Sequence, residues 1–119
     1  MEIKQLSIAE GLHLQVREIA KRETIASVKC TGAWIIRTAL EHFVDEVKES
    51  DVDAIRAMDY GKTIQVKIAL EAYTFDLLRI FAVKHDLRIA QAVNWAITRR
   101  IVYLVKTSAK THQPIAWID

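Results

Sequence analysis

The 119-residue sequence predicts a mostly α-helical protein with a small two-stranded β ribbon, laid out as strand-helix-helix twice over. Three observations lead there. Three Gly and one Pro are too few turn residues for an all-β fold. A hydrophobic fraction of 51% beside 27% charged residues can bury a core and is not the composition of a disordered chain. Finally, apolar residues recur with the 3.6-residue helical period over four long segments, and with a period of two over two short ones.

Lys4-Gln5-Leu6-Ser7-Ile8 alternates weakly and reads as the first strand. Residues 12–20 then place Leu12, Val16, Ile19 and Ala20 on one helical face. Residues 32–48 do so with Ile35, Ile36, Ala39, Leu40, Phe43 and Val47. After Gly61, a turn residue, Ile64-Gln65-Val66-Lys67-Ile68-Ala69-Leu70 alternates cleanly, as a strand with one buried face. A third helix over 74–84 aligns Phe75, Leu78, Phe81 and Ala82. A fourth over 89–106 aligns Ile89, Ala92, Val93, Ala96, Ile97, Ile101, Leu104 and Val105. It can run to about Lys110, and Pro114 bars its continuation.

The two strands head similar units. A shift of 62 places Leu6 on Ile68, Ile8 on Leu70, Val16 on Leu78, Ile19 on Phe81 and Ala20 on Ala82. A shift of 57 places Ile36 on Val93, Ala39 on Ala96 and Leu40 on Ile97. The difference of five fits an insertion between the helices of the first unit, within 23–31. The chain thus divides into a first unit (1–48), a linker (49–62) that can itself be helical, a second unit (63–110) and a tail (111–119). A lone strand or a lone unit of this size is marginal in water, so the two units are expected to interlock through one antiparallel ribbon. Leu6, Ile8, Val66, Ile68 and Leu70 would face the helices. Ile3, Gln5 and Ser7, with Gln65, Lys67 and Ala69, would face outward.

The second unit, with Ile64-Gln65-Val66-Lys67-Ile68, Leu78-Arg79-Ile80-Phe81-Ala82 and Ala92-Val93-Asn94-Trp95-Ala96-Ile97, resembles the ribbon-helix-helix DNA-binding family. Asp86 stands where that family usually has a turn Gly, a tolerable departure because Asp accepts turn conformations. Val16-Arg17-Glu18-Ile19-Ala20 and Ile35-Ile36-Arg37-Thr38-Ala39-Leu40 match less closely, across a longer loop. Two such units in one chain are similar to the tandem members, which include conjugation accessory factors and, closer in length and layout, a transcriptional regulator of archaeal filamentous viruses. The resemblance implies two ribbon-helix-helix units forming an intramolecular pseudo-dimer, and double-stranded DNA as the partner.

By position, the resemblance makes Gln65 and Lys67, with Gln5 and Ser7, the base-reading residues. Gln can pair with adenine and Lys can donate to guanine, while Ile3 and Ala69 offer at most a methyl contact with thymine. It also aims the N-terminus of each unit's second helix at a phosphate. In the first unit this implicates Thr31 as N-cap, Gly32 for backbone approach and Lys29 for charge. In the second it implicates Arg88, with Asp86 as a candidate cap. The plainer alternatives are a solvated edge ribbon carrying an anti-aggregation lysine, and ordinary helix capping. The two strands offer different outward residues, so one molecule is expected to read a non-palindromic element.

Other chemistries find no support in the sequence. His13, His42, His85 and His112 lack metal-ligand spacing, and no nucleotide-binding glycine motif is present. Cys30 is the single cysteine, beside Lys29 but without an assignable base. Asp45, Glu46, Glu49, Asp51, Asp53 and Asp59 read as a solvated helix end and linker. Trp34 and Trp95 read as packing residues. No enzyme activity, metal, cofactor or small-molecule substrate is therefore expected. No signal peptide or membrane-length apolar run is seen, so a cytoplasmic location is expected. Ile115, Trp117 and Ile118 give the tail an apolar character that suggests self-association. The competing function is a helical protein-interaction module, adaptor or antitoxin-like, whose ribbon only joins the halves. The net charge of +2 hides two unlike halves: residues 1–60 carry 8 basic and 11 acidic side chains, residues 61–119 carry 9 and 4.

Overall fold

The computed structural model describes residues 1–23 and 31–111, with the side chains of 1–22 and 31–106. Most of the segment expected to hold the insertion, with Lys29 and Cys30, and nearly all of the tail lie outside the described residues.

The chain runs β1 (Glu2–Ala9), α1 (Glu10–Glu23), α2 (Gly32–Glu46), a 3-10 turn (Glu49–Asp51) entering α3 (Val52–Ala57), then β2 (Thr63–Leu70), α4 (Ala72–Lys84) and α5 (Ile89–Thr111). It is mostly helical with one two-stranded antiparallel sheet. The element starts keep both sequence offsets: α4 begins 62 residues after α1, and α5 begins 57 after α2.

The ribbon pairs Ile3 with Ala69, Gln5 with Lys67, Leu6 with Val66 and Ser7 with Gln65. Leu6, Ile8, Ile68 and Leu70 are buried and Val66 is half-buried, while Ile3, Gln5, Gln65 and Lys67 are exposed. The expected register holds, because slipping one residue would exchange the two faces. Lys4 falls on the inward face and explains the weak alternation of β1. Its ammonium escapes burial by sitting 4.7 Å from the centre of the Phe75 ring and 3.1 Å from a Glu2 carboxylate oxygen.

The core lies beneath the ribbon. Val16, Ile19 and Ala20 of α1, Ile35, Ile36, Ala39, Leu40 and Phe43 of α2, Leu78 and Ala82 of α4, and Ala92, Val93, Ala96, Ile97, Ile101 and Leu104 of α5 are buried in one cluster. The helices α2 and α5 pack on each other, β1 packs on α5, and β2 packs on α2. Each strand therefore rests on the second helix of the other half, so neither half has a separate core. Two expectations are corrected. Val105, placed on the apolar face of the last helix, is 46% exposed. The linker is not simply solvated: Val52 and Ile55 of α3 are buried in the core, while Glu49, Asp53, Arg56 and Asp59 face water.

The turn between α4 and α5 shows why Asp86 can replace glycine. Its φ is 54°, the left-handed region. Leu87 N–H donates to Ala82 O at 2.8 Å and Asp86 N–H to Val83 O at 3.3 Å, the paired bonds of a helix C-terminal Schellman turn, and Leu87 is buried against the core. Asp86 thus ends α4 and does not cap α5. The capping position of α5 is Arg88. Its N–H donates to Gln91 Oε1 at 2.8 Å, and its carbonyl accepts from Gln91 N–H at 3.0 Å.

Candidate nucleic-acid interface

The outward face of the ribbon has three side-chain pairs. Ile3 faces Ala69, Gln5 faces Lys67, and Ser7 faces Gln65. The 62-residue offset maps Gln5 onto Lys67, which is also its paired residue. The two strands are therefore related about this central pair. They are not related in chemistry: one end is apolar, with Ile3 65% exposed, and the other is polar. At the polar end, Gln65 Nε2 donates to Ser7 Oγ at 2.7 Å. That bond uses one of two amide hydrogens and holds the carboxamide in place, leaving Oε1 and the second hydrogen to meet a base edge. Strands of ~3.4 Å rise per residue space successive outward pairs by about 7 Å, and the ribbon width fits a major groove about 12 Å across.

A residue to which the sequence assigned no role holds this end together. Asn94 is fully buried on α5. Its Oδ1 accepts from Ala9 N–H at 2.7 Å, and its Nδ2 donates to Ser7 O at 3.0 Å and Ala90 O at 2.8 Å. One carboxamide thereby takes up a donor and an acceptor of β1 and fixes the strand that carries Ser7. The signal in the sequence was a single amide within the apolar run 92–97. The 57-residue offset gives Asn94 the counterpart Arg37, which lies only partly buried and reaches Glu41 at 3.9 Å. Only one of the two second helices grips the ribbon in this way.

The expected backbone-contact residues are placed unevenly. Arg88 is exposed and lines a groove of about 380 Å³ with Ser7, Tyr60, Gly61 and Thr63, so it joins the polar end of the ribbon. Thr31 is the N-cap of α2, its hydroxyl accepting from Trp34 N–H at 3.0 Å. Gly32 serves packing: a Cβ there would lie 3.3 Å from Val16 Cγ1, so its absence lets α2 approach α1. Lys29 is outside the described residues. Trp34 and Trp95 are partly buried against the core.

Among the described residues no group of three His, Cys, Asp or Glu side chains comes together, and no helix is long and apolar enough to cross a membrane. Compared with known proteins, the chain matches no family model, and no curated protein or solved structure is significantly similar to it.

Proposed function

We propose that this chain is a sequence-specific double-stranded DNA-binding protein that regulates transcription, its ribbon lying in the major groove. In this proposal the units 1–48 and 63–110 are ribbon-helix-helix units joined by the 49–62 linker, and together they form a pseudo-dimer within one chain. The chain would sit with the tandem regulators of archaeal filamentous viruses, acting in the cytoplasm of a prokaryotic host. The observation that carries the reading is the exposed polar end of the ribbon. Gln65 and Ser7 are pinned to each other, Lys67 and Gln5 lie beside them, and none of the four has work to do in the core. Gln5, Ser7, Gln65 and Lys67 are the base readers, and Arg88 and the start of α2 at Thr31 and Gly32, with Lys29, contact phosphates. The apolar end favours thymine methyl groups, so the selected element is not a palindrome.

Selection of bound duplexes from a random pool at moderate salt tests this. The expected outcome is an asymmetric consensus whose affinity falls as salt rises, because neutralised phosphates release counterions. Lys67→Ala and Gln65→Ala should each weaken specific binding by ~1–3 kcal/mol with no change in melting temperature. No binding to any duplex at low salt would refute the reading and favour the helical interaction module.

A further inference from the structure

The outer face of α4 is apolar where a solvated helix should be polar. Tyr73, Ile80 and Val83 are 69%, 57% and 75% exposed, and the half-buried Leu77 completes the row. Their spacing of four, three and three puts them on one helical stripe. The internal repeat supplies a control. Sixty-two residues earlier, α1 carries Gly11, Gln15, Glu18 and Lys21, all exposed and none with an apolar side chain; Leu14, the counterpart of Asp76, is an isolated exposed apolar residue there. The core-facing positions of the two helices agree in character, so the stripe is not a by-product of the repeated unit.

We infer that this stripe is a self-association surface, on which α4 of a second copy packs antiparallel about a two-fold axis. Charge makes the choice of occupant and direction. Asp76 borders the first half of the stripe, Arg79 and Lys84 the second, and all three are exposed; within one copy Arg79 reaches Asp76 at 3.5 Å and Lys84 reaches Glu49 at 3.3 Å. Antiparallel packing sets Tyr73 opposite Val83 and Leu77 opposite Ile80 in the second copy. It also sets Asp76 of each copy near Arg79 of the other, so a pair already formed within one helix is shared between two. A parallel arrangement would oppose like charges instead. Beside Ile80 a groove of about 240 Å³ between α2 and α4, floored by Val44 and Phe81, is open to a side chain from the second copy. A single pair of helices buries less than the ~1,600 Å² of a standard interface, so the dimer is weak. The inference is independent of DNA reading, since its readout is mass without DNA.

Sedimentation equilibrium of the full chain, diluted from millimolar to micromolar, should show a mass moving from twice 13.6 kDa towards 13.6 kDa. Ile80→Asp, checked for an unchanged melting temperature, should stay at the single-chain mass throughout. In a Cys30→Ser background, Tyr73→Cys and Val83→Cys proteins mixed together should cross-link to each other through a short bismaleimide, and neither should cross-link to itself. A single-chain mass at every concentration, a dimer that survives Ile80→Asp, or self-cross-linking of Tyr73→Cys would each overturn the inference.

Discussion

Asn94 is the best single probe of how the helical core holds the ribbon. Replacing it with Ala removes the acceptor of Ala9 N–H in a residue that is 2% exposed. A buried donor left without a partner costs about 1–3 kcal/mol, and the lost bond to Ser7 O adds up to about 1 kcal/mol. Ala90 O loses little, because it can still accept from the α5 backbone four residues on. The expected loss is therefore about 1–4 kcal/mol, or roughly 10 °C in melting temperature for a domain of this size. Asn94→Asp sharpens the test. It keeps the acceptor for Ala9 but puts a carboxylate oxygen where the amide donates to Ser7 O at 3.0 Å and Ala90 O at 2.8 Å. Two repulsive contacts and a buried charge should make it less stable than Asn94→Ala at neutral pH. A protonated carboxyl can donate as the amide does, so the folded state raises the pKa of this group. Its penalty is then small below the unfolded value near pH 4 and grows as pH rises above it. Thermal unfolding by circular dichroism across pH measures all three proteins. An Asn94→Asp variant as stable as wild type at pH 7 would refute the assigned bonds.

Three further outcomes follow from the same geometry. Asp86→Gly should raise stability by up to about 1 kcal/mol, since φ of 54° strains any side chain at that turn, whereas Asp86→Val should lower it; chemical denaturation midpoints decide. Leu78→Ala, at a fully buried position shared by the core of both halves, should cost ~2–5 kcal/mol and melt the chain in one transition, not two. The combined change Ile3→Gln, Gln5→Lys and Ala69→Ser gives both strands the same outward residues, and duplex selection should then return a palindrome in place of an asymmetric element.

Much of the architecture could be read from residue spacing. Val16, Ile19, Leu40, Leu78 and Ile97 sit at helical intervals because one face of each helix is buried, and burial is what the period records. Ile64 to Leu70 showed the strand register for the same reason. The pattern was weakest where a side chain serves both environments. Lys4 points inward but floats its ammonium over Phe75, and the alternation of β1 blurs there. Features set by one backbone dihedral or one hydrogen bond left little trace. Asp86 was legible as a turn residue, but which helix it terminates depends on φ. Asn94 was hidden because its partners are backbone groups of a strand 85 and 87 residues away. The linker was legible as a possible helix but not as a buried one, because Val52 and Ile55 stand among acids whose side chains reach solvent. At the candidate site, alternation placed Gln5, Ser7, Gln65 and Lys67 on the outward face, and the resemblance alone singled them out from Ile3 and Ala69. Thr31 and Gly32 were correct as a helix start, yet their partners are Trp34 and Val16, within the fold itself.

Joining both halves in one chain changes what a surface feature does. In a dimer of identical short units every outward residue appears twice, so an apolar first helix would offer two sticky faces per particle. Two faces on one particle extend into a chain of particles unless the geometry closes. Here the stripe of Tyr73, Leu77, Ile80 and Val83 occurs once, because the corresponding face of α1 carries Gln15, Glu18 and Lys21. A stripe that occurs once and packs on its own copy joins two chains and leaves no second stripe of its kind for a third. The same logic governs the ribbon. One anchoring amide at Asn94, one pinned pair at Ser7 and Gln65, and one apolar end at Ile3 and Ala69 give the outward face a direction that no symmetric pair of strands could have. The polar end is also where Arg88 stands, on the side of the ribbon that Asn94 holds.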